Sequence, residues 1–315
     1  MATVQSATGR LETTELGMTL MHEHVIVRSP GVFENWPHLF NRAEALAQAV
    51  EMLAEAKAAG VDTIVDLTTV DLGRDVAFVA EAAQRSGMQV IVATGIWWRP
   101  PQYVDTHTAD EVAALFIRDI EQGCMGTGIR AGIIKCATDT AGVTRAIETV
   151  LRASARAHRA TGVPISTHTY AAGKMGLEQQ RIFTEEGVDL TRVVIGHSGD
   201  SEDFDYLEQL IGAGSTLGMD RFGLHRLLPS DRRVAVIAEL CRRGLTEKMV
   251  LAHDANCISD WIDPAGKRER MPDWRFTHIP REVVPMLREQ GVTEAQIDQM
   301  LVGNPRAIFE RQGRY

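Results

Sequence analysis

Met21-His22-Glu23-His24-Val25 closes the first apolar run of the chain, and the rest of the sequence is read from it. Successive side chains on a strand point to opposite faces, so His22 and His24 project together while Glu23 projects the other way. Two imidazoles side by side suit one metal ion. Taken alone, a His-x-His is more often a hydrogen-bonded pair at a strand end, and only the remaining sequence separates the two readings.

Working outward, seven further apolar runs follow, ending at Leu67, Thr94, Cys136, His168, His197, Arg221 and Asp254. Helical periodicity fills the intervals, at about 42–59, 73–86, 109–122, 143–161, 175–186, 203–212, 231–243 and 280–290, with a final helix pair over 293–312. Near-continuous apolar strands belong to a parallel sheet covered on both faces. Eight such units in about 250 residues predict an α/β fold, a (β/α)8 TIM barrel. A short N-terminal strand or hairpin over 2–17, turning near Ala7-Thr8-Gly9, precedes it, and a C-terminal helical extension follows. No G-x-G-x-x-G or Walker loop opens a helix, and no linker composition marks a boundary, so residues 1–315 are expected to form a single domain. The longest irregular segment, 257–278, carries Trp261, Trp274, Phe276 and Lys267-Arg268-Glu269-Arg270, and is expected over the barrel mouth.

Composition narrows the function classes. The chain has 315 residues, 44% of them hydrophobic, enough for a sizeable core. A net charge of -9 and a pI near 5.6 offer no basic face for nucleic acid or anionic lipid. No apolar run reaches the roughly 18 residues of a membrane span, and Met1-Ala2-Thr3-Val4-Gln5 has no secretory character. Cys124, Cys136, Cys241 and Cys257 lack paired spacing, which fits reduced thiols and a cytoplasmic location.

The chemistry gathers where strands end. His22, His24, His168, His197 and Asp254 all lie at or near such ends, which in a barrel converge on one face. Neutral imidazoles with a carboxylate are ligand types for zinc or a similar divalent ion, and two ions need a further anionic bridge. Lys135, in the apolar strand Ala131-Gly132-Ile133-Ile134-Lys135, is the candidate: burial lowers a lysine's pKa and yields an amine able to take up carbon dioxide as a carbamate. The alternative is a lysine that pairs with a carboxylate or reaches solvent.

Leu20-Met21-His22-Glu23-His24, Gly132-Ile133-Ile134-Lys135-Cys136-Ala137-Thr138, Ser166-Thr167-His168-Thr169, Ile195-Gly196-His197-Ser198-Gly199-Asp200 and Ala252-His253-Asp254 resemble, in order, the metal-binding motifs of the phosphotriesterase family in the amidohydrolase superfamily. Gly303-Asn304-Pro305 extends the likeness nearly to the end. The resemblance implies two divalent ions, zinc first, with cobalt, manganese or iron as alternatives. By it, His22, His24 and Asp254 bind the more buried ion, His168 and His197 the more exposed one, and carboxylated Lys135 bridges them with a hydroxide. It also implies a homodimer acting on a small molecule.

Two branches of the family compete. Gly218-Met219-Asp220-Arg221-Phe222-Gly223-Leu224 and the tryptophan-bearing loop resemble phosphotriesterase-like lactonases, in which the arginine lies beside the substrate. Ala93-Thr94-Gly95-Ile96-Trp97 resembles phosphotriesterases, since lactonases usually carry tyrosine at that place. The expected activity is hydrolysis of lactones or related esters with apolar tails by the bridging hydroxide, with phosphotriester hydrolysis as the alternative. A metal-stabilised, non-catalytic binding barrel is the reading from another class. Asp254 is expected to act as ligand and base, and Arg221 and Asp200 to serve catalysis or anchor the wall. Trp97, Cys257, Trp261, Trp274 and His225 are the candidate substrate contacts, Trp98 is placed outside the pocket, and His253 is assigned to packing.

Overall fold

The computed structural model describes residues 2–311 and 313–315; the expected end of the last helix at 312 lies outside them. A hairpin of β1 (Thr3–Ser6) and β2 (Gly9–Glu12) comes first, with Thr3 opposite Glu12. Eight parallel strands follow: β3 (Thr19–Val27), β4 (Thr63–Asp66), β5 (Gln89–Gly95), β6 (Ile133–Ala137), β7 (Ile165–His168), β8 (Val193–Ile195), β9 (Thr216–Met219) and β10 (Met249–Leu251). Each pairs with its sequence neighbour, as right-handed strand–helix–strand units require. The circle closes where the Asp254 amide donates to the His22 carbonyl at 2.9 Å and the His24 amide to Ala255 at 2.8 Å. This is the expected (β/α)8 barrel, with the hairpin in front and helices 294–298 and 304–310 behind.

The helices start where short polar side chains satisfy free backbone amides. Asn41, Asp75, Thr108, Thr144 and Asp203 each accept from an amide in the first turn of the helix that follows. Inside the barrel, Met21, Val65, Ile91, Ala93, Ile133, Val194 and Val250 form one apolar plug. Val4 of the hairpin and Ile308 and Phe309 of the last helix pack against it. A separate, larger apolar layer lies between the outer strand faces and the helices.

Two departures from simple alternation matter for the site. Leu20 pairs with Ile64 but Glu23 with Asp66, so β3 carries one extra residue there. This bulge lets Met21 and His22, adjacent in sequence, line the same interior cavity. The eighth apolar run also stops early: β10 ends at Leu251, Asp254 turns with φ 55°, and the chain resumes as β11 (Asn256–Ser259), parallel to β3 with Asn256 opposite His24. The segment expected to be irregular over 257–278 thus begins as strand. It also contains the helix Pro264–Arg270, which the Asp263 side chain caps and Pro264 opens.

Candidate metal centre

Six side chains meet at the C-terminal mouth of the barrel. His22 and His24 come from β3, Lys135 from β6 and His168 from the last position of β7, while His197 and Asp254 follow β8 and β10. His22 Nε2 lies 2.9 Å from Lys135 Nζ and 3.4 Å from Asp254 Oδ1, and His24 Nε2 lies 3.0 Å from the same oxygen. On the other side, His197 Nε2 is 2.9 Å from His168 Nδ1 and 3.7 Å from Asp254 Oδ2. Asp254 therefore stands between the two pairs of histidines. His197, Arg221 and Asp254 all have left-handed backbones, at φ 59°, 77° and 55°. Such strain in non-glycine residues persists where surrounding structure enforces it, and it turns these three side chains inward.

The nitrogens are aimed by residues absent from the sequence-derived set. Asp220, buried at the end of β9, takes His22 Nδ1 on one oxygen at 2.9 Å and His197 Nδ1 on the other at 2.6 Å, and it also accepts the His197 amide. Asp139 takes His168 Nε2 at 2.6 Å, and Thr68 Oγ1 meets His24 Nδ1 at 2.9 Å. Partners of this kind set the tautomer and leave a bare nitrogen facing the ion. Asp220 sits two residues past Gly218, on the same face, and this was the available signal for it. Asp139 and Thr68 lie past their strand ends, where spacing carries no direction.

Electrostatics agree with a cation site. Burial, then Lys135, lowers the pKa of His22; burial brings His168 down to about 4; burial, then Arg221, holds His197 well below its usual value. Burial likewise lowers Lys135 to about 8. Burial works to raise the pKa of Asp254, but its place among His22, His197, His24 and Arg221 outweighs this and holds it well below the usual carboxylate value. His197 Nε2 and His168 Nδ1 lie 2.9 Å apart, close enough for one cation to meet both. His22, His24 and Asp254 bring one ligand atom each within 4.8 Å of one another. The donor set fits divalent ions.

Arg221 extends from this centre. Its Nε donates to Asp254 Oδ2 at 3.1 Å and its Nη1 to Asp200 Oδ2 at 2.8 Å. The other Asp200 oxygen accepts from the fully buried Arg233, which also holds the Gly199, Asp220 and Leu228 carbonyls. Asp200, expected among the catalytic groups, therefore reaches the centre only through Arg221. Both its oxygens are occupied by guanidinium groups.

Above the ligands lies a pocket of about 120 Å³, walled by Val27, Leu72, Trp97, Trp261, Ile262 and Trp274. Trp97 is fixed at its amide by Asp71 at 2.8 Å, and its indole N–H points at His168 Nδ1 at 3.2 Å. Both Trp97 and Trp98 lie beyond the end of β5; Trp98 packs on the helix layer, with Arg99 over its ring at 4.7 Å. Trp261 lies tilted against Trp97, ring centroids 5.6 Å apart, and Trp274 donates to the His253 carbonyl at 2.8 Å. A wider basin of about 830 Å³ opens outside, and there His225 is bound to Asp273 at 2.8 Å. Cys257 is a correction: it lines neither space, because the alternation of β11 turns it into the buried layer facing helix 42–58. Glu23 faces away from the centre as expected, taking His253 Nδ1 at 2.7 Å and the His253 and Ala255 amides.

The model of the phosphotriesterase family matches residues 2–309. A phosphotriesterase homology protein of Mycobacterium tuberculosis is 48% identical over 325 residues, covering all of both chains. An aryldialkylphosphatase of Saccharolobus solfataricus is 40% identical over 303 residues, covering 95% of this chain and 96% of its own. The solved structure of the phosphotriesterase from Mycobacterium tuberculosis has a TM-score of 0.96 at 48% identity and covers 99% of this chain and 100% of that one. Among the described residues no helix is long and apolar enough to cross a membrane. With this barrel and these convergent ligands, the chain belongs to the phosphotriesterase family of metal-dependent hydrolases.

Proposed function

We propose that the protein opens lactones, or cleaves related carboxylic esters, that carry an apolar tail. The observation that carries this reading is the placement of Arg221, which touches Asp254 and lines the outer basin together with Leu224, Trp261, Ile262 and Trp274. Arg221 has N–H groups left for a substrate oxygen, while Asp200 and Arg233 fix its direction. His22, His24 and Asp254 would hold one divalent ion, and His168 and His197 the other. Lys135 would join them after its neutral amine adds to carbon dioxide and loses a proton. Bound there, the ions supply an ionised water and polarise the carbonyl or phosphoryl oxygen. Asp254, whose pKa is held well below the usual carboxylate value, would accept the proton.

Phosphotriester hydrolysis is the second reading. The aryldialkylphosphatase relative and Trp97 favour it. The proposal extends to one catalytic barrel over 1–315, acting as a cytoplasmic homodimer on a small molecule. A kcat/KM panel over acyl-homoserine lactones, aryl esters and paraoxon, at defined metal loading, tests it. The lactone reading expects the long-chain lactones to lead. Paraoxon in the lead would move the assignment to phosphotriesters, and no turnover on any of the three would favour a non-catalytic barrel.

A further inference from the structure

A second cavity lies outside the metal centre. It is a groove of about 640 Å³ between helix 42–58 and the loop after β11, with Met52, Ile258, Met271 and Trp274 on its walls and Lys267 and Arg268 beside them. Lys267 is only partly exposed. Its Nζ donates to the Asn256 carbonyl at 2.6 Å and the Asn256 side-chain oxygen at 3.1 Å, and lies 4.6 Å from the centroid of the Trp274 ring. Among the described residues these neutral groups are its recorded partners, and no carboxylate forms an ion pair with it. Of the other charges around the groove, Glu55 is joined to Arg281 at 2.7 Å and Arg275 to Glu282 at 2.8 Å and Asp273 at 3.1 Å, while Glu51 and Arg268 are exposed to solvent on its two sides.

An ammonium drawn partly out of water, hydrogen-bonded only to neutral acceptors and offset only from a distance by the buried Cys257 and Glu23, is under-compensated. Burial accordingly pushes the Lys267 pKa down to about 8. An anion arriving from the groove would complete the pairing, and the apolar wall beside it suits an alkyl chain. We infer that this groove is a second binding site, for an amphipathic carboxylate whose head pairs with Lys267 and whose tail lies along Met52, Ile258 and Met271. The site is distinct from the metal pocket but shares its wall, because Asn256 and Trp274 line both spaces and Lys267 touches both residues. Occupancy would therefore settle that wall and alter turnover in the pocket next door. This effect on turnover rests on the hydrolase reading, whereas the binding does not.

Decanoate is the probe, titrated calorimetrically into metal-loaded and metal-free protein. Binding is expected in both forms, to be weakened about tenfold or more in Lys267→Met, corresponding to about 1.4 kcal/mol, and to be retained in Lys267→Arg. Met52→Trp, which fills the groove without touching the cation, should also abolish it, so the test survives if Lys267→Met fails to fold. Unchanged affinity in both Lys267→Met and Met52→Trp overturns the site, as does binding that vanishes on metal removal, which would put decanoate on the metal ligands. Absence of binding to the wild-type protein overturns it as well. A change in lactone kcat/KM on adding decanoate that is lost in Lys267→Met supports the shared wall. Binding without that change removes the coupling and leaves the site.

Discussion

At the scale of single residues, Asp220 organises the centre as much as any ligand. Each of its oxygens holds one imidazole at Nδ1, so His22 and His197 both present Nε2 without a proton. An asparagine offers one acceptor and one donor, and must force one of the two histidines into the wrong tautomer. Asp220→Asn should therefore weaken metal binding by about 10–100-fold, measured by competition with a chelator, while the folded spectrum persists. Asp254→Asn makes a different contrast: it removes an anion between the histidines and the proposed base together. Most turnover should be lost even at saturating metal; wild-type rates in that variant would remove its proposed role. Trp97 carries the choice of substrate in this reading. Trp97→Tyr should raise the lactone-to-phosphotriester ratio of kcat/KM, and an unchanged ratio would count against Trp97 as the determinant of branch.

At the scale of elements, the mouth is shaped by places where strands break their own rule. The extra residue in β3 sets both Met21 and His22 inward, one for the apolar plug and one for the metals. Glycine permits the close approaches that bring ligand-bearing strands together. A Cβ on Gly95, whose φ is 123°, would lie 1.8 Å from the Lys135 carbonyl oxygen, and one on Gly196 would lie 1.9 Å from that of Thr167. Neither neighbour can yield, because both atoms are backbone. Gly196→Ala should accordingly cost about 3 kcal/mol or more, at or beyond the upper end of overpacking effects. A shift of the urea midpoint checks this, and a cost below about 0.5 kcal/mol would show that the strands can part.

At the scale of the whole molecule, the centre is also a store of stability. Imidazoles, a lysine and a carboxylate converge there on one small space, so an ion that binds only the folded state should stabilise it. At free metal a hundred times its dissociation constant, the gain is about 2.7 kcal/mol. Removal of metal should then lower the midpoint of melting by roughly 5 °C, seen by calorimetry with and without chelator. A midpoint indifferent to chelation would mean that the ligands are held by the barrel alone. The proposed homodimer predicts a solution mass near twice 34.7 kDa by light scattering; a value near that of one chain would remove it.

The sequence by itself determined the order and type of the elements, because alternating apolar runs and helical periodicity are local properties of the chain. It also supplied the candidate groups: His22, His24, Lys135, His168, His197 and Asp254 can be named from their places in or just after apolar runs together with the motifs around them, although His22, His24 and Lys135 stand inside their strands. Tertiary structure decided which way their nitrogens face, since Asp220 reaches His22 across 198 residues and Asp139 reaches His168 from a loop. It decided that Cys257 turns from the pocket, because the eighth run breaks at Asp254 and a new strand sets its own alternation. It also placed Asp200 behind Arg221 and left Lys267 beside an open groove without a carboxylate partner. Spacing along a chain fixes faces, whereas hydrogen-bond direction and cavity shape depend on partners that only folding brings near.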